Sequence, residues 1–488
     1  MTSTPTSSLP IRMDSTSNGE FMPRPLPTHL RAANRDAAER LEANARKVGL
    51  DRRRFMAGLT GAATTLLAFN RAFAAHGHQG GSFMVPPAAG LDGEAAQAAL
   101  ASDDLIFDVQ THLVDPQGPW RRNAGRAFER VLAWWPQGTC GEEDPTDCYG
   151  ADHFIREIFL DSDTDLAVLS FVPTPEPYNS LSLEEADRVR RLIDRLDGDH
   201  RLLLHAMVLP NLPPHEAQLD GMSAAASRWP IAAWKVYTQW GPDGKGWALD
   251  DPAIGIPFIE RARALGVRTI CIHKGLSLPR MSPAHADCAD VGRAARLFPD
   301  VNFIVYHSGF ETRHREGPYA ADGPVAGIDS LVRSLQDAGL PPNGNVYAEL
   351  GSTWRMVMRD PDQAAHALGK LLRHVGENNV LWGTDSIWYG SPQDQILALR
   401  SFAISEAFQE RFGYPALDRA LKRKIFADNA LPVYGLKREN LRRRAQNDAV
   451  QQARQVYEPN RQPGFQTYGP TDRRGFLALH RLRQGRPD

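Results

Sequence analysis

Short apolar runs recur along this chain, and several of them end in one polar residue of a catalytic type. His112 closes LIFDVQTH, Lys235 lies in IAAWKVY, His273 ends VRTICIH, His307 ends VNFIVYH and Asp385 follows NVLWGT. Runs of four to eight Val, Ile and Leu bounded by turn residues read as buried strands. Eight of them predict strands over 105–110, 166–172, 202–209, 231–237, 267–272, 301–306, 346–350 and 380–384. Helical spacing separates them, as at Ala186, Val189, Ile193 and Leu196, and over 254–265, 283–298 and 361–375. The eightfold alternation predicts the α/β class and a (β/α)8 TIM barrel, whose strand ends converge on one mouth. Residues far apart in sequence can there share a metal ion.

The flanks follow other patterns. Residues 1–50 are rich in Ser, Thr, Pro, Arg and Ala without a sustained apolar period, and are expected to be largely disordered. Residues 51–75 resemble a twin-arginine export signal: Arg52 and Arg53, one variable residue, Phe55, Met56, the weakly apolar AGLTGAATTLLAF, then Ala72-Phe73-Ala74 at cleavage-site spacing. The alternative is an Arg-capped surface helix. The stretch is too short and too rich in Gly and Thr to cross a membrane, so no stable membrane anchor is expected. Residues 76–102 read as a Gly/Pro/Ala linker, 103–435 as the barrel, and 436–488 as a C-terminal helix with a basic tail. The signal makes the translocase a transient partner and the location periplasmic or exported. The tail could serve an interface between copies of the chain or remain solvated.

Composition narrows the class. A formal net charge of −2 provides no field for nucleic acid or an anionic membrane. Four cysteines without CxxC spacing exclude a disulfide scaffold and a cysteine zinc site. Cys140 and Cys148 bracket an acidic loop and could form one disulfide or stay reduced. A small-molecule substrate remains the expected partner.

The polar strand ends then take on a more specific meaning. D-x-x-x-H over 108–112, His273, H-S-G from His307, W-G-T-D over 382–385 and N-A-x-x-x-Y-G-L over 429–436 resemble the amidohydrolase superfamily. The branch is the one containing aminocarboxymuconate-semialdehyde decarboxylase, and the resemblance spans roughly 105–436. It implies one divalent ion, with His112, His273 and Asp385 at ligand positions and His307 as the residue that activates water. Imidazole and carboxylate suit Zn²⁺, with Mn²⁺ as the alternative. Asp385 could bind the ion, orient the water, or do both, which places it with His307 among the catalytic residues.

One position departs from the family pattern. Gln110 stands where the first histidine of H-x-H is expected, and its amide oxygen is a weak donor. Either the ion has fewer strong ligands, or it is a harder ion, or the metal has been lost. A bridging carboxylated lysine would need the histidine pair, so Lys235 reads as a cation for a substrate carboxylate or carbonyl. The competing reading packs its stem in the wall and pairs its amine with Glu349. Trp388 and Arg355 are candidates for substrate contact, alongside Trp134, Trp135, Trp240, Trp247, Trp354, Arg313 and Arg315. His205 lies before a strand end and reads as structural. Three functions remain: hydrolysis of an amide, ester or lactone, non-oxidative decarboxylation of an aromatic or muconate-like acid, and a metal-free binding barrel.

Overall fold

A computed structural model describes residues 8–483 apart from 124, 126–139, 173, 177, 198–200, 279–280, 440, 442–448, 459–460 and 462. Trp134 and Trp135 therefore lie outside the described residues. Gly81–Phe83 forms β1. The barrel follows as β2 (Phe107–Thr111), β3 (Leu166–Leu169), β4 (Leu202–Met207), β5 (Ile231–Tyr237), β6 (Thr269–His273), β7 (Asn302–Tyr306), β8 (Val346–Glu349) and β9 (Val380–Leu381). Neighbours pair in parallel in chain order, the pattern expected of a (β/α)8 barrel. Closure falls to the residues just past β9. Val109 N donates to Trp382 O, Asp385 N to Gln110 O and His112 N to Ser386 O, at 3.0, 2.9 and 2.6 Å. β10 (Phe402–Ile404) pairs antiparallel with β1 outside the barrel.

Much of what the family motifs share proves to be barrel architecture. Asp108 accepts from Thr384 N at 3.0 Å and from the Thr384 hydroxyl, clamping β2 to the turn after β9. Gly383 is required by close approach, because a Cβ there would sit 1.7 Å from Glu349 Oε1. Trp382 is fully buried. Asn429 Nδ2 donates to Glu377 O and Val380 O, both at 2.8 Å. Tyr434 meets Phe107 edge-on, and its hydroxyl lies 3.1 Å from His205 Nε2. The N-A-x-x-x-Y-G-L segment thus tethers the base of the barrel, and His205 is a satisfied core histidine.

Residues 8–50 pack against the rest of the fold, where disorder is expected from the sequence. α1 (Thr28–Lys47) buries Leu30, Ala33, Ala37, Leu41 and Ala45, one face at helical spacing. α2 (Arg52–Ala57) starts on an Asp51 cap and leaves Arg52, Arg53 and Arg54 exposed. α3 (Leu59–Ala75) packs on α1 and buries Ala62, Ala63, Leu66, Phe69 and Phe73. In the fold, the stretch that resembles an export core is a structural helix. Cleavage after Ala74 would remove α1 to α3 and everything before them. The expected linker is packed as well, with β1 in a sheet and a helix over Gly93–Leu100 that buries Ala96 and Leu100. Among the described residues no helix is long and apolar enough to cross a membrane.

Residues 9–21 run without regular structure across the barrel mouth, with Leu9, Ile11, Met13 and Phe21 buried. Arg12 pairs with Asp394 (Nε to Oδ2 2.9 Å, Nη2 to Oδ1 2.9 Å). Ser17 N donates to Pro470 O at 2.9 Å, so the C-terminal region holds this segment in place instead of forming a free tail. Cys140 and Cys148 form a disulfide with Cα atoms 5.8 Å apart, which resolves the alternative left open by spacing.

Candidate active site

His112, His273, His307 and Asp385 sit at or just past the ends of β2, β6, β7 and β9, and none is more than 2% exposed. His307 (φ 63°) and Asp385 (φ 62°) both adopt left-handed backbone, as do Ser308 and Ser352. Each such residue costs about 1–2 kcal/mol. That strain, concentrated where strands become loops, marks side chains held in place by their surroundings.

The three imidazoles share one arrangement. His112 Nδ1 lies 3.1 Å from Ser170 O, His273 Nε2 3.5 Å from Leu276 O and His307 Nδ1 2.7 Å from Gly351 O. A carbonyl can only accept, so each of these nitrogens carries the hydrogen. In the neutral ring the other nitrogen bears a lone pair. Those lone pairs face carboxylates: His112 Nε2 is 3.1 Å from Asp385 Oδ1, His273 Nδ1 is 3.4 Å from Glu20 Oε1 and His307 Nε2 is 3.3 Å from Glu20 Oε2. Among the described residues His273 Nδ1 and His307 Nε2 have no hydrogen-bond partner. Backbone acceptors that fix the tautomer while the second nitrogen stays bare are the usual support of metal-binding histidines. Glu20, His273 and His307 bring ligand atoms within 4.8 Å of one another, a set that fits a divalent cation, whereas His112 and Asp385 approach each other but are not part of that group.

Electrostatics follow from this packing. Burial favours neutral His307, but Glu20, with Asp385 and Glu349 behind it, raises its pKa. Burial prevails at His273 and lowers its pKa against the pull of Glu20. Burial would raise Glu20, yet His273 and His307 hold it well below the usual carboxylate range. Burial pushes Glu349 up to about 7 against His307. Its carboxylate accepts from His307 N at 3.1 Å, and from Gly351 N.

The other sequence candidates divide. Gln110 lies inside the site: Nε2 donates to Asp385 Oδ1 at 3.2 Å, and Oε1 has no partner. Lys235 is fully buried and does not pair with Glu349. Among the described residues its Nζ has no hydrogen-bond partner, and it lies 3.5 Å from the centre of the Tyr306 ring. Trp388 lines the wall, its ring 6.2 Å from that of His112. Arg355 is not free to meet substrate. It is buried and held by Asp394 at 2.8 Å and Asp14 at 3.0 Å, because the N-terminal segment brings its own acid to it.

Sequence reasoning missed Asn18, Glu20 and Tyr237. Asn18 Nδ2 donates to both Glu20 Oε2 and Asp385 Oδ2, each at 2.5 Å, and Tyr237 donates to Glu20 Oε1. Ser352 adds a donor to Asp385 Oδ2 at 2.5 Å. Tyr237 ends a predicted strand beside His273, a position that could have drawn notice. Nothing in the local pattern around Asn18 and Glu20 signals a site.

Residues 74–436 match the family model described as Amidohydrolase. The chain belongs to this amidohydrolase family. No curated protein matches it. Among solved structures it is similar to an uncharacterized TIM-barrel protein from Bordetella bronchiseptica, at 12% identity and a TM-score of 0.41, covering 70% of this chain and 99% of that one. A 2,6-dihydroxybenzoate decarboxylase from Rhizobium aligns at 14% identity and a TM-score of 0.38, over 68% and 99%. A 4-oxalomesaconate hydratase from Rhodopseudomonas palustris aligns at 14% and 0.39, over 73% and 99%. Family membership makes the protein a metal-dependent enzyme of the amidohydrolase superfamily, in keeping with the bare imidazoles of its barrel mouth.

Proposed function

We propose that the protein hydrolyses a carbonyl compound, an amide, ester or lactone, with zinc as the ion and manganese as the alternative. The observation that carries the reading is the set of three imidazoles pinned by backbone carbonyls, with their lone pairs facing carboxylates. His112, His273 and Asp385 would hold the ion. When bound, a divalent ion supplies Lewis acidity and lowers the pKa of a coordinated water toward about 7. His307, fixed through Gly351 O, accepts the proton of the attacking water and returns it to the leaving group. Asp385, oriented by Ser352 and Gln110, keeps its carboxylate aimed at the same space. Glu349 holds the His307 backbone and stays out of the chemistry.

Non-oxidative decarboxylation is the second reading, favoured by Lys235. A buried ammonium without a hydrogen-bond partner, over an aromatic ring, suits a substrate carboxylate. The test uses zinc-loaded protein in ¹⁸O-labelled water with two panels: esters, lactones and amides, and aromatic or muconate-like acids. Hydrolysis places solvent oxygen in the product acid. Carbon dioxide released without solvent oxygen in the organic product would replace the first reading with the second.

Lys235 also sets an expected pH limit. Burial pushes its pKa down to about 8, with Glu20 opposing that shift. The ammonium is therefore present below pH 8 and lost above it. KM for an anionic substrate should rise above pH 8, and Lys235→Met should raise KM at neutral pH and flatten that limb. An unchanged KM profile in the variant would remove Lys235 from substrate binding.

A further inference from the structure

With Gln110 at the first-strand position, the barrel offers one strong donor fewer than the H-x-H pattern would. The N-terminal segment places a carboxylate in the same mouth. Glu20 is 3% exposed, more than 200 residues before His273 in the chain, and its two oxygens face His273 Nδ1 at 3.4 Å and His307 Nε2 at 3.3 Å. Both nitrogens are bare in the neutral rings, so lone pairs face an anion. That arrangement is repulsive unless a positive charge stands between them, either a proton on the ring or a cation, and a shared proton would draw nitrogen and oxygen to about 2.7–2.9 Å, closer than they stand.

The spacing identifies which kind of charge fits. Bonds of about 2.0–2.2 Å from zinc to nitrogen and oxygen, at a tetrahedral angle, put neighbouring donors roughly 3.4 Å apart. The separation between Glu20 and His273 has that value. A carboxylate that merely filled the mouth would be expected to seek the ammonium of Lys235, whose Nζ has no hydrogen-bond partner. Glu20 is also oriented as ligands are. Tyr237 donates to Oε1, and Asn18 donates to Oε2 while reaching Asp385 Oδ2 with the same group. The turn is fixed in its own right, since Glu20 N donates to Asn18 Oδ1 at 2.9 Å and Ser17 Oγ to Phe21 O at 2.5 Å.

We propose that Glu20 is a ligand of the active-site ion, delivered by the N-terminal segment in place of the missing first-strand histidine. The proposal rests on the metal-dependent reading above. Glu20 would hold the ion together with His273, and its second oxygen faces His307, the imidazole that would carry the proton. The N-terminal segment is then part of the metal site, and binding of the ion and seating of the segment stabilise each other.

The test is competitive chelator titration of zinc on the full chain, with the visible spectrum of the cobalt-substituted protein as a second readout. Wild type, Glu20→Gln and Glu20→Gln/Gln110→His are compared, with thermal melts to check folding. Removing a ligand should lower zinc affinity by at least about 10-fold, since changes one shell further out already cost 10–100-fold. The cobalt spectrum should change, and Gln110→His should restore affinity. Glu20→Asp, which keeps the charge but withdraws it by one methylene, is read in the same way if Glu20→Gln fails to fold. Wild-type affinity in a folded Glu20→Gln or Glu20→Asp protein, with an unaltered cobalt spectrum, would overturn the proposal and leave the metal reading standing. A wild type that binds neither zinc nor cobalt would overturn the metal reading, and this proposal with it.

Discussion

Replacing His307 with Ala is expected to lower turnover by about 10²–10⁴-fold while zinc content stays at the wild-type level. His273→Ala and Asp385→Ala should instead lose both zinc and turnover. The contrast follows from position. The family motif implies ligand positions for His273 and Asp385 and the water-activating position for His307; the backbone-carbonyl contact does not separate them, because His112 and His273 share it. Metal analysis after exhaustive dialysis, followed by turnover of the zinc-loaded variants, separates the two kinds of loss. Equal metal loss in all three would make His307 a ligand, and the proton would then need another carrier. Asp385 is the nearest candidate, because Ser352 and Asn18 already orient its carboxylate.

Asp394→Ala should strongly destabilise the fold. Asp394 is 1% exposed and accepts from Arg12 at 2.9 Å and from Arg355 at 2.8 Å, so its removal leaves two buried guanidinium groups without their shared carboxylate. Breaking a buried pair by removing one partner costs about 3–5 kcal/mol. The melting temperature should fall by several degrees, and trypsin should cut within residues 8–26 far faster than in the wild type. Arg12 fastens the segment that carries Asn18 and Glu20, so zinc affinity should fall in parallel. An unchanged melt and an unchanged N-terminal cleavage rate would show that the pair does not hold the segment.

The barrel was legible because its signal is local. Each strand buries both faces, so a run such as Val-Asn-Phe-Ile-Val-Tyr announces itself, and the residue that follows it falls at the mouth. His112, His273, His307 and Asp385 were found by that rule, and the structure places all four at the expected strand ends. Helix α1 was missed for the opposite reason. Three of the five residues on its buried face are alanines, which contribute little apolar contrast against their neighbours although the spacing is helical. The export-like stretch was ambiguous because one sequence of small apolar residues suits a translocation signal and also a helix packed between others.

Arg355 shows the limit of placing a residue by its loop. It follows β8 on the site face, as the sequence implies, yet Asp14 and Asp394 claim its guanidinium from two distant parts of the chain. Lys235 shows the reverse. Pairing with Glu349 was an equal alternative from sequence, but the backbone amides of His307 and Gly351 occupy that carboxylate and leave the ammonium without a hydrogen-bond partner.

By itself, the sequence determined the barrel, the order of its strands and the four polar residues at their ends, because periodicity and strand-end chemistry are written within ten residues. Only the tertiary structure decided what completes the site. Glu20 and Asn18 belong to a segment with no regular element and no apolar period, and they reach the mouth because Arg12, Asp14 and Ser17 are held by residues hundreds of positions away. Ion pairs and hydrogen bonds across such separations leave no periodic trace in the chain, so the carboxylate facing the two histidines becomes apparent only when the chain is folded.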